Sequence, residues 1–134
     1  MQPLALDKMK SALPCMIGKH DFSAFRAAGC QANNPVRDVS TLEIHQSGAF
    51  IFIEIAANAF LHHMVRNIVG SLLRIGEGLE TPEWLSSVLE SRNREMAGVT
   101  ARSDGLYLVN VDYPREFSLP QADYLTTLVK RYGE

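Results

Sequence analysis

The residues best suited to chemistry lie between Asn58 and Gly76, in the run NAFLHHMVRNIVGSLLRIG. Phe60, Leu61, Met64, Val65, Ile68, Val69, Leu72 and Leu73 recur in pairs every four residues, the spacing of one broad apolar helix face. The positions between them keep the rhythm but are polar: His62 and His63, Arg66 and Asn67, Gly70 and Ser71, then Arg74. At about 100° per residue, His62, Arg66 and Gly70 fall nearly in line, with His63 close by. An inert solvated face would favour Glu, Lys, Gln and Ala. This one carries a mid-helix glycine, which costs about 1 kcal/mol against Ala and lets another backbone or a ligand approach closely. Arg66 beside it offers a fixed fork of donors suited to a carboxylate or a phosphate. His62 and His63 are adjacent rather than four apart, with no HExxH or cysteine pairing, so no metal site is expected. On these residues alone, a functional face and an ordinary solvated one both stay open.

Several elements must position that stripe. Leu6, Met9, Leu13, Met16 and Ile17 have helical spacing, Pro14 should kink or end that helix, and Gly18 is a stop. HDFSAFRAAGCQANNPVRD, from His20 to Asp38, reads as a loop with one short turn at Phe22–Phe25. A hairpin follows. Leu42 and Ile44 alternate with Glu43 and His45, QSG makes the turn, and AFIFIEIA is the second strand. Asn58 as N-cap and Gly76 at C′ bracket the long helix. A second helix has Thr81 as N-cap, Pro82 at its first position and Trp84, Leu85, Val88 and Leu89 on its apolar face. GLYLVNVDY, from Gly105 to Tyr113, reads as the last strand, closed by Pro114, and ADYLTTLVKRYGE suits a short final helix. Strands and helices do not alternate regularly. The expected class is α+β, an antiparallel sheet covered on one face by helices, in a single domain over residues 1–134.

Composition narrows the function. The chain has 134 residues, 46% hydrophobic and 21% charged, a globular profile. No apolar run approaches the roughly 18–20 residues that span a bilayer. The first residues, MQPLALDKMK, lack an export pattern. Cys15 and Cys30 show neither CxxC nor zinc spacing, and read as reduced thiols in a cytoplasmic protein. A net charge of −2 excludes a wholly basic nucleic-acid module. Yet His20, His45, His62 and His63 fall in the first half, while acids crowd the second: Glu77, Glu80, Glu83, Glu90, Glu95, Asp104, Asp112 and Glu116. Local field matters more than net charge, so the first half could still meet a polyanion.

NAFLHHMVRNIVGSL closely resembles the signature helix of the tRNA pseudouridine synthase A family. HDFSAFRAAGCQ with PVRDV after it resembles that family's RNA-contacting loop, and GLYLVNVDYP its last core strand. The three segments stand in family order and reach to about Leu119. The resemblance implies an isomerase of tRNA processing that converts uridines of the anticodon stem-loop to pseudouridine without metal or organic cofactor. It implies a cytoplasmic homodimer that binds tRNA. The family's catalytic aspartate lies in an R-T-D-x-G-V-H-like motif of the N-terminal half, and this chain resembles only the C-terminal half. Met1-Gln2 directly precedes a helix that sits mid-protein in the family. The expectation is therefore half of an enzyme, inactive alone.

The resemblance assigns roles residue by residue. Arg66 matches the arginine that pairs with the catalytic aspartate, which it would hold ionised and aimed. The polar stripe would then face the cleft between the two halves, with Gly70 allowing close approach there. Leu106 matches an apolar residue packed on the target base, which must leave its stack to react. Gly29, Cys30, Gln31, Ala32 and Asn33 match the loop that touches tRNA. Arg26 and Arg37 are candidate phosphate contacts, with His62 and His63 beside them. Family members often carry Arg and Trp near Asn33 and Val36, and their loss weakens phosphate attraction and stacking here. Arg102-Ser103-Asp104-Gly105 superficially mimics the catalytic motif. No Val-His follows the glycine, so it reads as a polar turn into a strand. Two alternatives stand beside the synthase half: a free-standing, non-catalytic module that binds RNA or a partner, and a complete small enzyme using Asp104.

Overall fold

A long hairpin is the frame of the computed structural model, which describes residues 4–27 and 33–98, with the backbone of 106–108 and 126–130. Strand β2 runs Val36–Ser47 and β3 runs Phe50–Ala57, paired antiparallel from Val39↔Ala57 to Ser47↔Phe50. The turn is Gly48–Ala49, so Gln46 and Ser47 belong to the strand rather than to the expected QSG turn. Leu42, Ile44, Ile51, Ile53 and Ile55 alternate inward and are buried. Glu43, His45, Phe52 and Glu54 alternate to the other face. That period of two is the half-buried strand pattern the sequence displays.

Helix α1, Leu6–Ala12, tightens into a 3-10 turn at Leu13–Met16, where Pro14 sits. Strand β1, Gly18–Asp21, pairs antiparallel with β2, followed by a 3-10 turn at Ser23–Phe25. This strand replaces the expected helix stop at Gly18 and the start of the loop expected from His20. Helix α2 is Met64–Gly76 and α3 is Pro82–Ser91. Thr81 and Pro82 start α3 as expected, and Leu85, Val88 and Leu89 bury its inner face. Strands β4, Leu106–Leu108, and β5, Thr126–Lys130, complete one five-stranded sheet in the order β1-β2-β3-β5-β4. The short helix expected near the C-terminus is thus corrected to a strand over Thr126–Lys130. The Thr-Thr-Leu-Val-Lys run is rich in β-formers and pairs with the open edge of β3. The α+β class and the helix-covered antiparallel sheet are as expected, and the core between them holds Met9, Phe22, Phe25, Ile51, Ile53, Met64, Ile68, Leu72 and Leu85. None of the described helices is long and apolar enough to cross a membrane.

Both ends of the long helix differ from expectation. Asn58 is no N-cap: its Oδ1 accepts from the Asp38 backbone N–H at 2.9 Å, so a capping-type side chain closes the strand pair instead. At the other end Gly76 is helical, while Gly78, at φ 83°, takes the left-handed C′ position. The Gly78 N–H donates to Ile75 O at 3.0 Å and the Leu79 N–H to Arg74 O at 2.9 Å, the paired bonds of a Schellman stop.

Candidate functional site

The polar stripe of α2 divides into an open end and a buried one. His62 and His63 are exposed and Arg66 is half-buried at the helix start. His63 is the N-cap residue, with left-handed backbone at φ 63°. That turn brings its ring onto His62, with centroids 4.1 Å apart in a stack. Arg66 Nη1 lies 3.5 Å from His63 Nε2. Desolvation, then the neighbouring His62 and Arg66 charges, lower the His63 pKa from its ordinary value. The Ala27 N–H donates to His62 O at 2.9 Å, which ties the segment after β1 to the start of α2.

The other end of the stripe is internal. Asn67 is 1% exposed, although an asparagine on a polar stripe suggests solvent. Its Nδ2 donates to Phe25 O at 2.7 Å, and its Oδ1 accepts from Arg94 Nη2 at 3.1 Å. Ser71 is fully buried, and its Oγ accepts from the Gly98 N–H at 2.9 Å. A Cβ on Gly98 would lie 2.9 Å from Gly70 O and 3.0 Å from Ser71 Cα, so only glycine fits there. The close approach at Gly70 is therefore made by this chain's own backbone. The expectation that Gly70 faces a cleft is corrected: Gly70 is buried under the segment ending at Gly98. Arg74 pairs with Glu80 at 3.1 Å and lies 5.9 Å from the Trp84 ring centroid.

The remaining expected residues are spread over several elements. Asn33 is exposed, while Gly29, Cys30, Gln31 and Ala32 lie outside the described residues. Leu106 is the first residue of β4, at the register position opposite Val129 of β5. Asp104 lies outside the described residues. Arg37 Nη1 donates to Asn34 O at 2.7 Å and to Val36 O at 2.8 Å, and its Nε is buried with no hydrogen-bond partner among the described residues. Cys15 is a free thiol; burial raises its pKa, which makes it a poor nucleophile.

Arg26 lines an open groove of about 630 Å³ with Ser23, Ala27, Pro35, Arg92, Asn93 and Arg94. Arg92 and Arg94 follow α3 and are functional candidates that the sequence reading missed. Their signal was the cation pair in ESRNRE, hidden by the flanking Glu90 and Glu95. Arg92 holds left-handed backbone at φ 55° and closes α3, and its Nε lies 3.7 Å from Asp21 Oδ2. Burial opposes ionisation of Asp21, but bonds from Ser23 and the charges of Arg92 and Arg26 outweigh it and lower its pKa.

On the opposite face of the sheet, Glu43, His45 and Glu54 bring their ligand atoms within 4.8 Å of one another. His45 Nε2 lies 3.2 Å from Glu43 and 3.5 Å from Glu54, so the imidazole already bridges the two carboxylates. Glu43 and His45 are exposed and Glu54 is half-buried, on the sheet face turned away from the core.

Comparison with known proteins matches this sequence to one family. The family model described as tRNA pseudouridine synthase matches residues 12–114. The chain belongs to that family. It is 58% identical over 120 residues to tRNA pseudouridine synthase A of Nitrosococcus oceani, covering 90% of this chain and 46% of that protein. It is 56% identical over 115 residues to the Aeromonas hydrophila protein of the same name, covering 86% and 43%. For the Vibrio campbellii protein the identity is 54% over 114 residues, with 85% and 43% covered. The chain thus spans about half the length of the curated relatives it matches.

Proposed function

We propose that this chain is the C-terminal half of an enzyme that isomerises uridine to pseudouridine in tRNA, at the anticodon stem-loop. The observation that carries this reading is the high identity to tRNA pseudouridine synthase A over 90% of the chain but only 46% of the relative. The catalytic aspartate belongs to the other half. Arg66, half-buried at the open end of the stripe, is its partner: a guanidinium beside a carboxylate favours the ionised form and fixes its direction. Leu106 gives the extruded base an apolar surface. The loop Gly29–Asn33, with Arg26, Arg37, His62 and His63, contacts the tRNA backbone. The whole enzyme works in the cytoplasm as a homodimer and needs no cofactor.

The test is pseudouridine formation on an unmodified tRNA transcript, first with this chain alone, then with the N-terminal half of a relative added. The expected result is silence alone and activity on addition. Arg66→Ala should lower the complemented rate by about a hundredfold, the scale of removing one electrostatic group from an active site. Activity from the chain alone, abolished by Asp104→Ala, would overturn the split-site reading.

A further inference from the structure

We infer that Asn67 is a positioning residue: its side chain fixes the Arg26 backbone to the helix turn that carries Arg66, and so holds bound RNA in register with the active site. The inference deepens the proposed function and rests on it for the roles of Arg26 and Arg66.

Asparagine is mostly an exposed residue, yet Asn67, in the first turn of α2, is 1% exposed. Burying an amide is costly unless it is hydrogen-bonded. The bonds of Asn67 show what its burial serves. Its backbone N–H donates to His63 O at 2.9 Å, closing the first turn of α2 on the N-cap residue. Its Nδ2 donates to Phe25 O at 2.7 Å, 42 residues away, and its Oδ1 accepts from Arg94 Nη2 at 3.1 Å, 27 residues away. One side chain thus ties α2 to the 3-10 turn Ser23–Phe25 and to a second 3-10 turn, Arg94–Met96.

The Phe25 tie falls at a particular place. Phe25 O belongs to the peptide group that enters Arg26. The peptide group that leaves Arg26 carries the Ala27 N–H, which donates to His62 O at 2.9 Å. Both peptide groups of Arg26 are therefore bonded to the segment from His62 to Asn67, one through a side chain and one through backbone. Each peptide group is planar, so fixing both fixes the Arg26 Cα and the direction of its side chain. The fully buried Phe25 anchors the same point in the core.

Packing alone would be met by a leucine at position 67. An amide with its donor and acceptor both engaged specifies a direction as well as a volume, which is what satisfied buried polar groups add to a core. Arg66 is the residue before Asn67, so the turn that holds Arg26 also orients the arginine assigned to the active site. Groups held in place before the ligand arrives lose less freedom on binding.

The experiment measures binding of an unmodified tRNA transcript to this chain paired with the N-terminal half of a relative. Asn67→Asp is the probe. It keeps the side-chain shape and an oxygen for Arg94, and it replaces the donor to Phe25 O with an acceptor. It should weaken binding as Arg26→Ala does, by about tenfold, the scale of one hydrogen bond to a charged group. The double variant should bind no worse than Asn67→Asp alone, because residues that act through one another are not additive. Ser71→Ala deletes an equally buried hydrogen bond one turn further along α2, and should lower the thermal midpoint while leaving affinity unchanged. Ala27→Pro removes the second tie; Arg26, at φ −98° and ψ 149°, already has the extended backbone that precedes a proline. It should match Asn67→Asp, and it carries the test if Asn67→Asp does not fold. Parent-like affinity in these tie-breaking variants would overturn the inference. So would additive losses in the double variant, an equal loss in Ser71→Ala, or a pair that binds no tRNA. Non-additive loss of binding in a pair that forms no pseudouridine would sustain the inference and sink the proposed function instead.

Discussion

Two charged surfaces lie on opposite sides of this molecule, and they are held in different ways. On the helix side, Arg26, Arg92 and Arg94 are carried by irregular segments after β1 and α3, and a buried amide at Asn67 braces both. On the open sheet face, Glu43, His45 and Glu54 are held by strand register alone and satisfy one another. The first surface groups arginines from two segments over an internal support. The second sets two carboxylates against one imidazole and has no such support. Charged groups built to meet a ligand need bracing from behind, whereas a surface ion pair contributes little by itself, about 0–1 kcal/mol.

The strongest way to break this contrast is to remove the brace. Asn67→Leu leaves Phe25 O and Arg94 without their buried partner and should cost about 3 kcal/mol, read from the urea midpoint. It should also weaken tRNA binding, although it removes no charge. Gly98→Ala should cost about 1–3 kcal/mol by overpacking against Gly70 and Ser71, a drop visible in the thermal midpoint. Glu43→Gln on the sheet face should stay within about 0.5 kcal/mol in the same measurement. It should leave tRNA affinity unchanged, and a loss there would show that both faces serve the ligand.

The smallest expected effect sharpens the contrast without unfolding anything. His63 should titrate below the ordinary histidine value in an NMR titration, and His62→Ala should move its midpoint upward by removing one of the charges that lower it. The sign follows from the depressed pKa. The neutral form of His63 suits the fold above the ordinary value, and that preference is lost as pH falls through the folded-state value. In the same window the new charge beside Arg66 should strengthen tRNA binding.

Much of the fold was legible because its signals are local. Alternation in AFIFIEIA and the Thr81-Pro82 start of α3 depend only on near neighbours, and both match the structure. Asn58 misled because a side-chain amide that can cap a helix can equally cap a strand backbone, and Asp38 offered it that partner. Strand β1 was missed because four residues, GKHD, carry no apolar alternation and depend on β2 for their pairing. The site shows the same division. The stripe with Arg66 was visible as helical periodicity, but Asn67 and Ser71 find their buried partners at Phe25 and Gly98, 42 and 27 residues away. The arginine groove joins Ser23, Arg26, Ala27 and Pro35 to Arg92, Asn93 and Arg94, too far apart in sequence for any local pattern to contain both.

His63 and Arg92, which border the open stripe and the groove, both hold left-handed backbone, at φ 63° and 55°. Side chains branched at Cβ fit that conformation badly, whereas Gly, Asn, Asp and His accept it. A library randomised at these two positions would discard Val, Ile and Thr before any RNA was added. Part of the selection recorded there would then report chain geometry, and only the remainder would report the ligand.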